Sequence, residues 1–161
     1  MSDYFKRVQS KTKTQFWINN VTEEEAHLAI EAGAVGCTQN PSYGYKMLVH
    51  PTQSARSMEI LKEVLAKEPD DDMAAVVFQR EMVSKIAKIF MEVYEKTNGE
   101  YGYVSIQGTP FDESYDTIMK LAHFNREAGP NIMIKIPATD DGIKAIEQCV
   151  AEGIPVNCTE V

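Results

Sequence analysis

The stretch "NIMIKIPATDDG", residues 131–142, decides the fold that this sequence predicts. Its first seven residues form a mostly aliphatic run that ends at a proline, which predicts a strand of a parallel sheet that is buried on both faces. Thr139 then occupies the position of a helix N-cap, and Asp140 and Asp141 lie in the first turn, where the helix dipole favours acidic side chains. A buried strand that leads directly into a helix is the building unit of α/β folds. Lys135 lies in the middle of the strand.

The rest of the chain repeats this alternation on both sides of the stretch. Strands are predicted at residues 15–19, 34–38, 102–108, 131–137 and 154–159. Helices are predicted from the capping box of Thr22 and Glu25 to Gly33, within residues 43–96 with breaks at "HPTQS" and "EPDDD", at residues 112–128, and from Thr139 to Glu152. The order β-α-β-α-α-α-β-α-β-α-β predicts an α/β fold with a parallel sheet covered by helices.

Two architectures fit that order, an open doubly wound sheet and a (β/α) barrel. The first strand-to-helix turn, "NNVTEEE", contains no glycine, whereas open sheets usually carry a Gly-rich phosphate-binding turn there. Polar residues instead follow or end each of the five strands: Asn19, Asn40, Gln107, Lys135 and Thr159. Catalytic groups of barrel enzymes come from the carboxyl ends of several strands, so this pattern favours the barrel.

Composition and charge exclude several classes of protein. The net charge of −8 disfavours a nucleic-acid or anionic-membrane partner, and no apolar run is long enough to span a membrane. The N-terminus lacks the apolar core of a signal peptide. The three cysteines and three histidines have no metal-ligand spacing, so we expect reduced thiols, no metal site and a cytoplasmic protein.

The position of Lys135 indicates its chemistry. An ammonium group between Ile134 and Ile136 in a buried strand must be paired or neutralised, because burial disfavours the charged form and lowers the pKa. The neutral amine is a nucleophile that forms Schiff bases with carbonyl substrates. A protonated imine accepts electrons from a neighbouring carbon–carbon bond. The residues therefore predict an aldolase-like enzyme that needs neither a metal nor another cofactor.

Three segments resemble the transaldolase and fructose-6-phosphate aldolase family: "GAVGCTQNPSY", "VSIQGTP" and "NIMIKIPATDDGIKAIEQCVAEGIPVNCT". The similarity extends from about residue 16 to residue 159. The resemblance implies a (β/α)₈ TIM barrel and a class I Schiff-base mechanism, in which a dihydroxyacetone unit is transferred between sugar phosphates or cleaved from them. It also implies a cytoplasmic enzyme of carbohydrate metabolism, of the kind found in the pentose phosphate pathway.

The same resemblance implies roles for individual residues. Lys135 matches the Schiff-base lysine, and Gln107 and Thr159 match catalytic positions. Asn40 and Ser42, in the "T.NPS" motif after the second strand, match positions that bind the substrate. The position of Gln107 is glutamate in transaldolases and glutamine in the fructose-6-phosphate aldolase branch.

The sequence departs from the family pattern at the end of the first strand. The family has an aspartate there that shuttles the proton of the substrate hydroxyl, whereas this chain has Asn19, or Asn20 if the alignment shifts by one. An amide does not take up a proton at neutral pH, although imine formation does not require that step. Tyr43, or a water held by Gln107, is the next candidate for the proton acceptor.

The second departure is length. A full barrel takes about 250 residues, whereas this chain of 161 residues ends after the fifth predicted strand. We therefore expect one partial or truncated barrel domain, residues 1–161, without the strands that carry the family's phosphate-binding arginine. Its unpaired edge predicts a homo-oligomer or the remainder of a longer chain. Two functions stay open beside the transaldolase-like one: a non-catalytic relative that binds sugar phosphates or carbonyls, and another lysine-dependent barrel aldolase, such as one acting on deoxyribose phosphate.

Overall fold

The computed structural model describes residues 3–160 as strands that alternate with helices. Five strands are present in this part of the chain: β1 Trp17–Asn19, β2 Gly36–Gln39, β3 Tyr103–Gln107, β4 Ile132–Pro137 and β5 Val156–Thr159. The helices are α1 Tyr4–Lys11, α2 Glu23–Ala32, α3 Tyr43–Leu48, α4 Ser54–Leu65, α5 Asp71–Lys96, α6 Tyr115–Arg126 and α7 Asp140–Ala151. From β1 onward the predicted order of elements is confirmed, and α1 precedes it.

All five strands pair in parallel, in the order β1-β2-β3-β4-β5. Gln107 pairs with Lys135, which pairs with Asn157 on β5. Because paired residues of a parallel sheet point to the same face, these three side chains share one face. Since all five strands run in the same direction, their carboxyl ends lie at the same end of the sheet. This end of the sheet is called the rim below.

Helix ends follow the capping signals in the sequence. Thr22 and Glu25 form the predicted capping box, in which the Thr22 Oγ1 accepts a hydrogen bond from the Glu25 N–H and the Glu25 carboxylate accepts one from the Thr22 N–H. Thr139 caps α7 by accepting from the Gly142 N–H at 3.1 Å. Gly33 ends α2 in the left-handed conformation with φ of 105°. These caps fix where the chain leaves each strand and enters the following helix.

One face of the sheet forms the core with the helices, and the other is more open. Ile132, Ile134 and Ile136 are buried in a cluster that includes side chains of α5, α6 and α7. Met133 and Lys135, on the opposite face of β4, are only half-buried. The sequence predicted a strand buried on both faces, and this is wrong for the residues described. One-sided cover by helices fits a partial barrel, whose helices all lie outside the sheet.

The predicted boundaries differ from the observed ones by a few residues, and one helix was not predicted. Strand β1 begins at Trp17 rather than at residue 15, and β2 covers Gly36–Gln39 rather than residues 34–38. Helix α1 precedes the first strand, and Phe5 on it stacks on Phe16 with ring centroids 4.0 Å apart. This contact joins α1 to the residue just before β1, and the local pattern of neither segment reveals it. That the chain is a single domain without the last strands of a barrel stays a prediction.

A pair of glycines provides a test of this packing. Gly102 has φ of 84°, and a Cβ there would lie 2.2 Å from the backbone nitrogen of Tyr94 on α5. Gly153 has φ of 72° but no heavy atom within 4 Å of a Cβ. We expect Gly153→Ala to lower the free energy of unfolding by about 1–2 kcal/mol, the strain of a left-handed alanine. We expect Gly102→Ala to lose about 1–3 kcal/mol more, because α5 must move away from β3.

Urea denaturation followed by circular dichroism measures both losses, and Gly153→Ala is the matched control for the backbone strain. Equal losses in the two variants would contradict the close approach of α5 to the start of β3.

Candidate active site

The amine of Lys135 lies at the rim and is held by the side-chain amide of Asn40, the residue that follows β2. Its Nζ donates a hydrogen bond to Asn40 Oδ1 at 2.7 Å. Asn40 follows β2, whereas Lys135 is in β4, and β3 lies between these two strands. Strands that are not adjacent lie roughly 9–10 Å apart, so the two side chains must extend toward each other across the open face of β3. The lysine therefore points along this face rather than into the helical layer.

Asn40 extends the contact to the first strand. Its Nδ2 donates to Asn19 Oδ1 at 3.3 Å, which gives a hydrogen-bonded series from β4 to β1. The backbone N–H of Asn40 donates to Asn20 Oδ1 at 2.9 Å. Asn20 itself adopts φ of 51°, a conformation that asparagine tolerates better than most residues. Asn19 and Asn20 thus both contact Asn40, and it is Asn19 whose side chain continues the series that begins at the amine.

The other predicted site residues lie at the same rim but outside this hydrogen-bonded series. Gln107 is in register with Lys135 on the adjacent strand and is buried. Thr159 pairs with Pro137, two residues beyond Lys135, and is half-buried. Ser42 is exposed at the start of α3. The structure therefore brings Lys135, Asn40 and Asn19 into direct contact, with Gln107 beside them, and leaves Thr159 and Ser42 further along the rim.

Burial changes the protonation of the lysine. Partial burial lowers the pKa of the Lys135 amine from its ordinary value, because removal of water disfavours the charged form, and the negative charge of Glu160 opposes this shift. The bond to Asn40 does not require the ammonium, since a neutral amine also has N–H donors and keeps its lone pair free. The geometry therefore accommodates a neutral, nucleophilic amine.

Tyr43, the alternative proton acceptor, lies inside the core. Its side chain is 1% exposed, and its hydroxyl donates to the Val21 carbonyl at 2.9 Å. Burial, together with the nearby Cys37, Glu23 and Glu25, raises the pKa of this phenol. A hydroxyl that is buried and already donating has a structural role, so the structure gives no support to Tyr43 as the proton acceptor.

Two further polar residues contact the site and were not assigned a role from the sequence. Asn20 was considered only as a substitute for Asn19, but it binds the backbone of Asn40. Gln79 on α5 donates to the carbonyls of Asn40 and Gln107 at 3.4 and 3.2 Å. The sequence separations of 39 and 28 residues explain why local pattern did not reveal Gln79. The one sequence feature that could have drawn attention to Gln79 is that it is a polar residue next to the apolar face of α5.

The part of the chain that the structure describes contains neither a metal-binding group nor a membrane-spanning helix. Within residues 3–160, no group of three His, Cys, Asp or Glu side chains is placed to hold a metal ion. None of the helices there combines the length and the apolar character that crossing a bilayer requires.

Sequence comparison defines the class of protein. The family model described as Transaldolase/Fructose-6-phosphate aldolase matches residues 16–161. This match covers nearly the whole chain, including all five strands and the rim residues described above. The chain belongs to this family, and the α/β arrangement of its five strands is that of a partial TIM barrel.

Individual relatives are transaldolases too, and they are much longer than this chain. A transaldolase of Acidothermus cellulolyticus is 31% identical over 160 residues, which cover 93% of this chain and 42% of the relative. "Transaldolase 2" of a Nostoc species is 31% identical over 153 residues, covering 89% of this chain and 39% of the relative. A transaldolase of Trichodesmium erythraeum is 42% identical over 74 residues, 44% of this chain and 20% of the relative. The chain thus spans about two fifths of the length of the first two relatives.

The environment of Lys135 predicts an unusual titration. Its pKa is lowered by burial, whereas the pKa of Lys144 is raised by the hydrogen bond and charge of Asp141. As the pH rises, Lys135 should therefore lose its proton first and become reactive at lower pH than Lys144. Competitive acetylation over a pH series, followed by mass spectrometry of the peptides, measures both midpoints.

The urea-denatured chain is the control, since both lysines should then titrate together. A midpoint of Lys135 in the folded protein that equals or exceeds that of Lys144 would contradict the effect of burial.

Proposed function

We propose that the protein is a transaldolase-type enzyme that acts on sugar phosphates through a Schiff base on Lys135. In this proposal a dihydroxyacetone unit is either transferred to another aldehyde or released by cleavage. The observation that carries the proposal is the Lys135 amine at the rim, partly desolvated and 2.7 Å from Asn40 Oδ1. Membership of the transaldolase and fructose-6-phosphate aldolase family supports it independently.

Each step assigns a task to a residue of the chain. The lone pair of the neutral Lys135 amine attacks the ketone carbon of the sugar phosphate, and the resulting carbinolamine loses water to give an imine. Asn40 holds the amine during the attack and, with Ser42, contacts the substrate. Gln107 and Thr159 hold the water that adds again when the imine is hydrolysed. No metal or organic cofactor enters these steps, because the protonated imine is itself the electron acceptor.

Cleavage of the carbon–carbon bond needs an additional proton transfer. When the bond breaks, its electrons move into the imine, and the neighbouring hydroxyl must lose a proton to become an aldehyde. Asn19 lies at the end of the series from Lys135 through Asn40, and in this proposal its side chain faces the reacting atoms. An amide cannot accept that proton at neutral pH. This observation favours the second candidate function, a relative that forms the imine or binds the carbonyl with little cleavage.

The proposal extends to the setting of the reaction. A small-molecule sugar phosphate is the partner, and cytoplasmic carbohydrate metabolism, including the pentose phosphate pathway, is the setting in which such an enzyme acts. We also propose that the chain associates with a second copy or is part of a longer chain. In the described residues β1 and β5 are the outer strands of the sheet, and an unpaired outer strand favours such pairing. The family match gives deoxyribose phosphate chemistry less support than dihydroxyacetone transfer.

Borohydride trapping tests the Schiff base. With dihydroxyacetone or fructose 6-phosphate as the carbonyl compound, hydride addition to the imine carbon should leave a stable secondary amine on Lys135, which peptide mass spectrometry locates. Lys135→Met should abolish the adduct and keep the fold, because methionine replaces a partly buried charge by an apolar chain of similar length. Lys144→Met, at an exposed lysine of α7, is the matched control and should be trapped as well as the wild type. Labelling that persists in Lys135→Met would refute the assignment.

A substitution at Asn19 separates the two candidate functions. Asn19→Asp introduces a carboxylate beside Asn40 Nδ2, and we expect it to raise cleavage of fructose 6-phosphate by roughly 10²–10⁴-fold, the usual contribution of a general base. The yield of trapped imine should change far less, since imine formation does not use this group. The released aldehyde, measured with a coupled dehydrogenase, gives the rate. High activity in the wild type that falls in Asn19→Asp would show that another group takes the proton.

A further inference from the structure

The side chain of Gln79 joins the carboxyl ends of two neighbouring strands. Gln79 lies in α5, and its Nε2 donates to the carbonyl oxygens of Gln107 at 3.2 Å and of Asn40 at 3.4 Å. Gln107 is the last residue of β3, and Asn40 directly follows β2. Strand pairing stops at these residues, and the Asn40 carbonyl accepts from the Tyr43 N–H of the following turn at 2.9 Å. A primary amide carries two N–H donors on one nitrogen and can serve both carbonyls at once.

Asn40 is held at every one of its polar groups. Its N–H donates to Asn20 Oδ1, its Oδ1 accepts from Lys135 and its Nδ2 donates to Asn19. Its carbonyl accepts from the Tyr43 N–H at 2.9 Å, within the same turn, and from Gln79 Nε2 at 3.4 Å. A carbonyl oxygen has two lone pairs and can accept both bonds. Among these backbone contacts, the one with Gln79 links Asn40 to α5.

We propose that Gln79 is a positioning residue of the lysine site. By tying the carbonyls of Asn40 and Gln107 to α5, it fixes, together with the Tyr43 N–H, where the Asn40 amide stands relative to the Lys135 amine. Gln79 acts through Asn40 and does not contact the amine, so it is not itself a catalytic residue. The consequence for the reaction rests on the proposed function, whereas the consequence for the geometry of Asn40 does not.

Three substitutions separate hydrogen bonding from packing. Gln79→Met keeps the length of the side chain and removes both donors. Gln79→Glu keeps the shape but points acceptor oxygens at two carbonyls. Gln79→Lys restores N–H donors at the end of a longer side chain. Gln148→Met is the matched control, because Gln148 is an exposed glutamine of α7 whose Nε2 donates to Glu152, the residue that follows this helix.

The first readout does not depend on activity. The side-chain amide resonances of Asn40, identified by their loss in Asn40→Ala, report how that amide is held. We expect them to shift and broaden in Gln79→Met and Gln79→Glu, to return toward their original positions in Gln79→Lys, and to stay unchanged in Gln148→Met. Unchanged Asn40 resonances in Gln79→Met would overturn the proposal, whether or not any sugar is trapped.

The second readout is the rate of borohydride trapping with dihydroxyacetone. We expect a roughly tenfold lower rate in Gln79→Met and Gln79→Glu, the effect of losing one or two neutral hydrogen bonds that orient a reacting group. Gln79→Lys should recover most of the rate, and Gln148→Met should match the wild type. Equal losses in Gln79→Met and Gln79→Lys would assign Gln79 a packing role and overturn the proposal. If the wild type forms no adduct, the proposed function fails, and the resonances of Asn40 still decide the role of Gln79.

Discussion

The parallel register between β3 and β4 places Gln107 beside Lys135, and the site depends on this constraint. A shift of one residue would move Lys135 to the helical face, where Ile134 and Ile136 now form the core with α6 and α7. The ammonium would then be fully desolvated without Asn40 as a partner. The alternation of isoleucine with methionine and lysine in β4 therefore fixes the core and directs the amine to the open face at the same time.

The sequence was sufficient for those features that local chemistry determines. The capping box at Thr22 and the N-cap at Thr139 each join residues three positions apart, and the alternation of strands with helices follows from the pattern within each segment. All three were predicted. The polar residues at strand ends were also identifiable, because parallel pairing brings every carboxyl end to one rim. Local pattern could not predict which side chains from separate segments come into contact. The contact of Gln79 with Asn40 and Gln107, and the stacking of Phe5 on Phe16, involve partners from separate segments.

The half-exposed state of Lys135 shows why burial was overestimated from the sequence. A run such as "IMIKIP" indicates a strand in a parallel sheet, and such strands are usually covered on both faces. In this chain the helices cover only the isoleucine face, so the methionine and the lysine remain half-buried. The pKa of Lys135 is accordingly lowered by an incomplete loss of water, with Glu160 acting in the opposite direction. The chemistry thus depends on how far the face is covered, which the sequence of one strand does not specify.

The series of amides from Lys135 to Asn19 separates two requirements that one active site must meet. Imine formation needs a neutral amine held near the carbonyl. Asn40 holds the amine by accepting a hydrogen bond from it, without taking up a proton. Bond cleavage needs a group that changes its protonation state, and neither Asn40 nor Asn19 does so near neutral pH. Since Asn19 accepts from Asn40 Nδ2, a carboxylate at the same place would make a charge-assisted bond of the same geometry. Under the proposed function, an asparagine at this position therefore lacks the proton acceptor but keeps the hydrogen bonds around the lysine, so that binding of the carbonyl is physically separable from its cleavage.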